Sequence, residues 1–330
     1  MMNFLKSTCL AATIVATAGI ASADTLKLSH IRPQGATIDN ELRTFAENVS
    51  IATGGSLDLK LFPASALGDY TSVQERISVG AIDMAVQPAA TAVDRRMQIS
   101  AFPYVAANWL EAKKIYGPGG AIHGAMKDLY SKQDITMLAA YPVYFGGVAL
   151  HTDPVSPGDP LAAKGIKVRV PGIKSFQLTA DALGYISSPI PFSEAFTAVQ
   201  TGVVDGVVGS GAEGYYASFR DVTSAYVPVN THFEVWYMIV NSGALADLSD
   251  GDREALEAAA LEFEAKRWTT AESDQGAFEQ KLADNGATIV KLSDAELAAT
   301  ADHVRAQVWP QVLADVGQDW GQSILDQIAQ

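Results

Sequence analysis

The stretch TGVVDGVV at residues 201–208 places a glycine, two apolar residues, an aspartate and an apolar run in that order, and VGAIDMAV at residues 79–86 repeats it. A glycine of this kind ends a helix, and the apolar run after the aspartate predicts a strand. Helix-to-strand turns often have this pattern, so the echo alone leaves a chance match open. Because strands and helices alternate around both stretches, we interpret it as a sign of two similar α/β lobes.

Alternating strand and helix patterns surround both stretches. Apolar residues at every second position predict strands, and apolar residues three and four positions apart predict helices. The predicted strands cover residues 26–30, 57–61, 82–86 and 166–170, with another near Ile186, and the predicted helices cover residues 38–49, 73–77, 176–183 and 193–201. This order implies mostly parallel sheets with helices on both faces.

The last third of the chain is mainly helical. Ser249 and Asp252 can begin a long helix that runs, with an interruption left open, toward Leu282 and ends at Gly286. No low-complexity linker separates it from the preceding segments. We therefore expect strands or helices that cross between the lobes to join them, an arrangement that suits hinge bending.

Three further elements are predicted near the C-terminus. Residues 289–292 form a short apolar strand, and Ser293 with Glu296 has the spacing of a capping box. The helix that follows contains Pro310, which lacks a backbone N–H and therefore predicts an interruption there.

The first 23 residues have the order of a secretory signal peptide. Lys6 precedes the apolar stretch 9–20, and the small residues Ala-Ser-Ala follow at 21–23. The apolar stretch is shorter than the roughly 20 residues that span a bilayer. We expect cleavage before Asp24, which would remove Cys9, the single cysteine of the chain, and leave a protein without disulfides or a lipid anchor.

Net charge argues against nucleic acid as a partner. The formal charge is −14 at neutral pH, and such a surface repels phosphate backbones and anionic membranes. An anionic small ligand remains compatible with it, because distant surface charges are largely screened while a buried arginine acts at close range.

Catalytic and metal-binding patterns are missing from the sequence. Ser210 lies in Gly-Ser-Gly and not in a G-x-S-x-G elbow, and the histidines stand singly without the paired spacing of a zinc site. The glycines of residues 117–120 lack the lysine and the preceding strand of a phosphate-binding loop. We expect no enzyme activity, no cofactor and no metal, with a secreted α/β enzyme acting on a small acid as the alternative.

Arg169 is the leading candidate for ligand binding. It lies in the strand pattern GIKVRVP at residues 165–171, close to the carboxyl end. Ligands of open α/β sheets bind beyond the carboxyl ends of the strands, and an arginine there can present a planar fork to a carboxylate. A solvated charge on the strand is the alternative that this spacing leaves open.

Several stretches in the same order resemble the periplasmic receptors of TRAP transporters, the DctP family. They are FPASALGD (62–69), GIKVRVP (165–171), PFSE (191–194), AVQTGVVDG (198–206) and Thr231-His232. The resemblance covers the whole chain after the signal peptide. It implies a two-lobe receptor that captures a solute in the periplasm, closes by a hinge and delivers the solute to a membrane permease driven by an ion gradient.

The resemblance also implies roles for particular residues. The family's arginine in the K-x-R-x-P strand makes a two-pronged salt bridge to the ligand carboxylate and matches Arg169, and the aromatic residue of the family pocket matches Phe192. Receptors of the sialic-acid type carry an asparagine where this chain has Gly209 and a second arginine near Gly146-Gly147. Those two contacts cannot be carried over to this chain.

The candidate ligand-binding set combines these matches with polar and aromatic residues near the predicted lobe crossings. It comprises Arg169, Phe192, Glu213, Tyr144, Tyr141, His30, Tyr215, Ser210, Gln87 and Trp236. Glu213 is expected to bind an amine or hydroxyl or to be merely solvated, and each tyrosine taken singly is also compatible with core packing.

The predicted fold is α/β with two lobes, each a mixed, mostly parallel sheet flanked by helices, and a long helix spanning both lobes. We expect one lobe from residues 24–148 and about 236–274, and the other from about 149–235 and 275–330. The predicted partners are a small organic carboxylate and permease subunits of the DctQ/DctM type. A binding protein that serves a membrane sensor is the other alternative.

Overall fold

The computed structural model describes residues 23–329. The predicted signal peptide, residues 1–23, lies outside the described residues apart from Ala23. The described part of the chain forms two β-sheets with helices packed around them. Among its helices, none is long and apolar enough to cross a membrane.

The first lobe contains a five-stranded sheet. Its strands are β1 (Asp24–Ser29), β2 (Leu57–Phe62), β3 (Met84–Gln87), β4 (Ile135–Phe145) and β10 (Phe233–Asn241), in the order β2-β1-β3-β10-β4. β1 is parallel to β2 and β3, whereas β10 is antiparallel to β3 and β4. The accompanying helices are α1 (Thr37–Ala52), α2 (Tyr70–Ser78), a 3-10 helix (Arg95–Ala101), α3 (Trp109–Tyr116), α4 (Ala121–Ser131) and α8 (Ser242–Asp247).

The second lobe contains a six-stranded sheet. Its strands are β5 (Gly147–Leu150), β6 (Lys167–Val170), β7 (Ile186–Pro189), β8 (Gly206–Ser210), β9 (Ala225–Val227) and β11 (Thr288–Ile289), in the order β11-β9-β5-β8-β6-β7. β5 is antiparallel to β8 and β9, and the other pairs are parallel. Its helices are α5 (Lys174–Ala182), α6 (Phe192–Gln200), α7 (Ala212–Phe219) and a 3-10 helix (Arg220–Val222).

The echoed stretches occupy equivalent positions in the two sheets. The Asp83 carboxylate accepts a 2.8 Å hydrogen bond from Lys27 N at β1, and the Asp205 carboxylate accepts one of 3.2 Å from Lys167 N at β6. The glycine that precedes each aspartate has a positive φ of about 70°, a conformation that glycine adopts without a steric penalty. The echo is therefore a structural repeat of one helix-to-strand turn.

The lobes are joined by continuous elements and not by a loose linker. The chain passes from β4 to β5 at Gly146, where one sheet ends and the other begins. Helix α9 (Asp250–Asp284) runs without interruption and contacts β4 and α1 on one side and α7 and β11 on the other. It is the predicted helix that spans both lobes.

The C-terminal helices differ from the prediction in two respects. Helix α10 (Asp294–Val316) has the predicted capping box but continues through Pro310. A helix-interior proline costs about 3 kcal/mol, and burial of the neighbouring Val308 and Val312 offsets this. Helix α11 (Gln318–Ile328) contacts α4 of the first lobe. The segment 275–330, which was assigned to the second lobe, therefore packs partly on the first lobe.

Candidate functional site

The carboxyl ends of parallel strands from both sheets face a common cleft, which is partly open to solvent and has a cavity volume of about 30 Å³. The cleft is lined by Ile31, Arg32, Tyr70, Pro88, Ala89, Ser100, Ala101, Tyr144, Arg169, Pro171, Ile173, Phe176, Phe192, Gly209, Glu234, Val235 and Trp236.

Arg169 projects from β6 into this cleft. The alternation of the strand directs the fully buried Val168 and Val170 into the core and Arg169 to the opposite side. Its side chain is 2% exposed, and its Nε donates a 2.8 Å hydrogen bond to the carbonyl oxygen of Ile190. The Nη1 and Nη2 amino groups donate to none of residues 23–329, which leaves both ends of the guanidinium fork for a ligand.

The charge of Arg169 has no carboxylate partner within the described part of the chain. Burial lowers the pKa of Arg169 because the cation has lost water, and nearby tyrosines and Asp69 only partly oppose this effect. Tyr70 lies across the cleft, and burial raises the pKa of its hydroxyl to about 12 although Arg169 acts in the opposite direction. A buried cation without a counterion predicts an anion-binding position.

A second buried arginine, Arg32, lies in the same cleft and is paired. It follows β1, and its guanidinium makes an ion pair of 3.1 Å with Glu213 at the start of α7. Its Nη2 also donates to the hydroxyl oxygens of Tyr144, at 3.3 Å, and Ser210, at 3.4 Å. Burial is the largest effect and lowers the pKa of Arg32, but Glu213 and Tyr144 together outweigh it, and the pKa is raised.

Aromatic rings hold the two guanidinium groups in place. The Phe192 ring centroid lies 5.3 Å from the Arg32 guanidinium carbon and 5.8 Å from that of Arg169. Trp236 covers Arg32 at 4.8 Å, and cations over aromatic faces are stabilised by the ring quadrupole. The Trp236 indole in turn donates to Glu234 at 2.7 Å, so its ring orientation is also determined.

Four of the ten predicted residues line the cleft: Arg169, Phe192, Tyr144 and Trp236. Glu213 and Ser210 lie directly behind Arg32 and contact it. These six residues come from five separate segments of the chain, which the two sheets bring together.

The other four predicted residues lie outside the cleft lining. All four form hydrogen bonds within one lobe: His30 bonds Asp39 at 3.1 Å, the Tyr141 hydroxyl donates to Glu41 at 2.6 Å, and the Gln87 amide donates to the carbonyl oxygen of Tyr70. The fourth, Tyr215, donates from its hydroxyl to the carbonyl oxygens of Gly147 and Val207 at 2.8 and 2.9 Å. A direct ligand contact by these four stays a prediction without geometric support.

Sequence reasoning missed four polar residues of the cleft: Arg32, Tyr70, Ser100 and Glu234. Arg32 and Tyr70 each follow a predicted strand of the first lobe, which is the same signal that singled out Arg169. Glu234 lies two residues from Trp236 at the start of β10, where the pairing with β4 shifts register. No group of three or more metal-ligating side chains occurs among residues 23–329.

The fold and this cleft define the class of two-lobe periplasmic solute-binding proteins. A sugar-acid-binding protein from Advenella mimigardefordensis, solved in complex with galactonate, has a TM-score of 0.85 at 18% identity and covers 93% of this chain and 98% of its own. An extracytoplasmic solute receptor from Bordetella pertussis that binds pyroglutamic acid has a TM-score of 0.84 at 22% identity, with 93% and 100% coverage.

Residues 28–314 match the family model of DctP, the bacterial extracellular solute-binding proteins of family 7, and the chain belongs to this family. A solute-binding protein of Roseobacter denitrificans is 29% identical over 312 residues, which are 92% of this chain and 93% of that protein. Its crystal structure with bound L-galactonate has a TM-score of 0.78. The chain is accordingly a periplasmic solute receptor of the TRAP type, and this family consists of receptors and not of enzymes.

Proposed function

We propose that the protein binds a small organic carboxylate in the cleft and that Arg169 anchors the carboxylate with both amino groups of its guanidinium. The single observation that supports this most strongly is the unpaired, buried fork of Arg169. Since Nε is already bonded to Ile190, the two free amino groups match the two oxygens of a carboxylate.

The ligand class that the cleft favours is a compact hydroxy, keto or sugar acid. Aromatic rings form much of the wall, and the polar groups of Arg32, Tyr70 and Glu234 are placed for oxygen atoms of the ligand. L-galactonate and pyroglutamate, which relatives bind, are small organic acids with one carboxylate.

Binding is proposed to close the lobes around the ligand. Groups from both lobes meet in the cleft, and bending at Gly146 and along α9 would separate them. We further infer that the closed receptor delivers its ligand to the membrane permease subunits of a TRAP transporter. Membership of the family supports this partner.

A calorimetric titration of Arg169 variants tests the anchor. A thermal-shift panel of organic acids first identifies a ligand, because a ligand at 100 times its Kd adds about 2.7 kcal/mol of stability. Arg169→Ala should then weaken binding by about 30-fold to several thousandfold, since losing one partner of a buried charge pair costs roughly 2–5 kcal/mol. Arg169→Lys should also bind poorly, because lysine lacks the planar fork.

Arg253→Ala is the matched control, since Arg253 pairs only with the exposed Asp250, and such pairs contribute about 0–1 kcal/mol. Less than about fivefold weakening by Arg169→Ala would reject the anchor role. A panel in which only uncharged sugars stabilise the protein would reject the carboxylate itself.

A further inference from the structure

The ion pair between Arg32 and Glu213 crosses the cleft. Arg32 belongs to the first lobe, directly after β1, whereas Glu213 belongs to α7 of the second lobe. Their side chains are 1% and 5% exposed, and the residues are 181 positions apart in sequence. A buried pair of this kind is weak evidence for stability, because the lost hydration offsets much of the attraction. A role in recognition is the more informative explanation.

The two arginines of the cleft wall differ in how far their charge is available to a ligand. Arg169 forms no salt bridge with any described carboxylate, while Arg32 is paired with Glu213 behind it. Glu234 adds a carboxylate to the wall and accepts hydrogen bonds from the His232 ring, at 2.8 Å, and the Trp236 indole. The cleft therefore offers one cation to a ligand, at Arg169.

We propose that the Arg32–Glu213 pair is a specificity determinant that selects monocarboxylates with an uncharged, oxygen-bearing far end and disfavours dicarboxylates. This inference rests on the proposed anchoring of the first carboxylate by Arg169. Phe192 contacts both guanidinium groups, so a ligand held by Arg169 extends toward Arg32.

At the far end of the ligand, Arg32 acts as a hydrogen-bond donor whose charge is balanced by Glu213, and not as a free cation. Its Nε and Nη2 are engaged by Glu213, Tyr144 and Ser210. Nη1 donates to none of residues 23–329 and is left to bind a hydroxyl or carbonyl oxygen. A second carboxylate would have to displace Glu213 from Arg32 and would leave Glu213 buried and unpaired, which is strongly unfavourable.

The test compares matched acids by calorimetry. Galactarate differs from L-galactonate only in a carboxylate that replaces the terminal hydroxymethyl group, and malate differs from 2,4-dihydroxybutanoate in the same way. We expect wild-type protein to bind the monocarboxylate of a pair at least about tenfold more tightly, a factor equivalent to 1.4 kcal/mol.

Glu213→Gln separates the effect of charge on selectivity from the effect of side-chain shape, because it removes the charge that balances Arg32 and keeps nearly the same size. It should shift the affinity ratio toward the dicarboxylate by about tenfold or more, since Arg32 then becomes an available cation. The double variant Arg32→Gln with Glu213→Gln replaces the pair by neutral amides and should restore the preference for the monocarboxylate. Glu257→Gln, a change of the same kind on the exposed face of α9, should leave the ratio unchanged.

The outcomes distinguish this inference from the proposed function. If Arg169→Ala abolishes binding but the wild type prefers a dicarboxylate, or if Glu213→Gln leaves the ratio within about threefold, the selectivity role is wrong and the carboxylate anchor stands. Failure of the wild type to bind any of the four acids overturns the inference as well. The proposed function is then judged by the wider thermal-shift panel. Thermal unfolding of each variant shows whether it is folded. If Glu213→Gln alone is unstable, the preference of the wild type within each pair of acids still tests the inference.

Discussion

The Gly146-Gly147 region and Gly209 stand where the family resemblance places an arginine and an asparagine in receptors of the sialic-acid type, and the glycines there have little room for a side chain. A Cβ atom on Gly146 would lie 2.3 Å from the ring of His232, and one on Gly209 would lie 2.6 Å from Pro171. Both distances are shorter than a van der Waals contact. The side chains of this protein already occupy the space that those ligand contacts would need.

Gly209→Asn should lower the free energy of unfolding by roughly 1–3 kcal/mol, the cost of a strained backbone conformation, because Gly209 has φ of +100° and no room for a side chain. Urea unfolding measures the effect. Gly276→Ala is the control: Gly276 lies within α9 with open space around it, and this change should stabilise by roughly 0.5–1 kcal/mol. Wild-type stability for Gly209→Asn would contradict the steric argument.

His30 should make the protein less stable in mild acid. The ring is fully buried, and burial lowers its pKa below 6.5 even though the Asp39 carboxylate acts in the opposite direction. Because the folded state binds the proton less readily than the unfolded state, the free energy of unfolding should fall as the pH drops below 6.5.

Urea unfolding between about pH 8 and pH 5 checks this sign, and His30→Gln should flatten part of the dependence. His123, whose pKa burial also lowers, accounts for a further part. The pKa of Asp39 is lowered as well because its hydrogen bonds outweigh burial, and that contribution is lost only at lower pH, below 3.8. A flat profile in the wild type would contradict the buried, neutral state of His30.

At the scale of elements, helix α9 covers the free edge of strand β4. β4 pairs with β10 on one side only, and its other side would leave backbone groups without partners. The Glu264 carboxylate accepts from Ala140 N at 3.0 Å, and the Gln275 amide oxygen accepts from Phe145 N at 2.8 Å. The helix therefore holds β4 up to the residue at which the chain crosses between lobes.

Gln275→Ala should destabilise the protein by roughly 1–3 kcal/mol, because it leaves the Phe145 N–H without its partner. Gln280→Ala is the matched control in the same helix, since Gln280 bonds only Asp284 on the exposed face, and its effect should be within about 0.5 kcal/mol. Chemical unfolding of both variants measures the difference in their free energies of unfolding. Equal stability would show that the α9 contact does not hold the crossing point of β4.

At the scale of the whole molecule, the two lobes share an equivalent helix-to-strand turn, and each lobe contains segments that are far apart in sequence. The Asp83 and Asp205 turns are equivalent, but β10 returns to the first sheet after the second has formed, and α11 packs on α4 of the first lobe. Each lobe is therefore discontinuous in sequence. This arrangement brings Arg32 and Glu213 into contact across the cleft.

Most of the secondary structure was predictable from the sequence, and so were four residues of the cleft lining, among them Tyr144 and Trp236 near the predicted lobe crossings. Strand periodicity located β6 and its carboxyl end, which identified Arg169, and the family resemblance added Phe192. Glu213 was also proposed, but as a residue for a ligand and not as the partner of Arg32. The pairing was not predictable, because nothing local connects two residues 181 positions apart.

The sequence by itself determined the alternation of strands and helices, the two-lobe class and the arginine at a strand end, because these follow from the periodicity of apolar residues and from turn glycines. Only the tertiary structure decided which buried charges are compensated. Arg32 and Arg169 are alike as residues, yet Arg32 forms a salt bridge with Glu213 and Arg169 forms none with any described residue. Whether a charge is available to a ligand depends on neighbours within a few ångströms, and those neighbours are placed by the closing of two lobes.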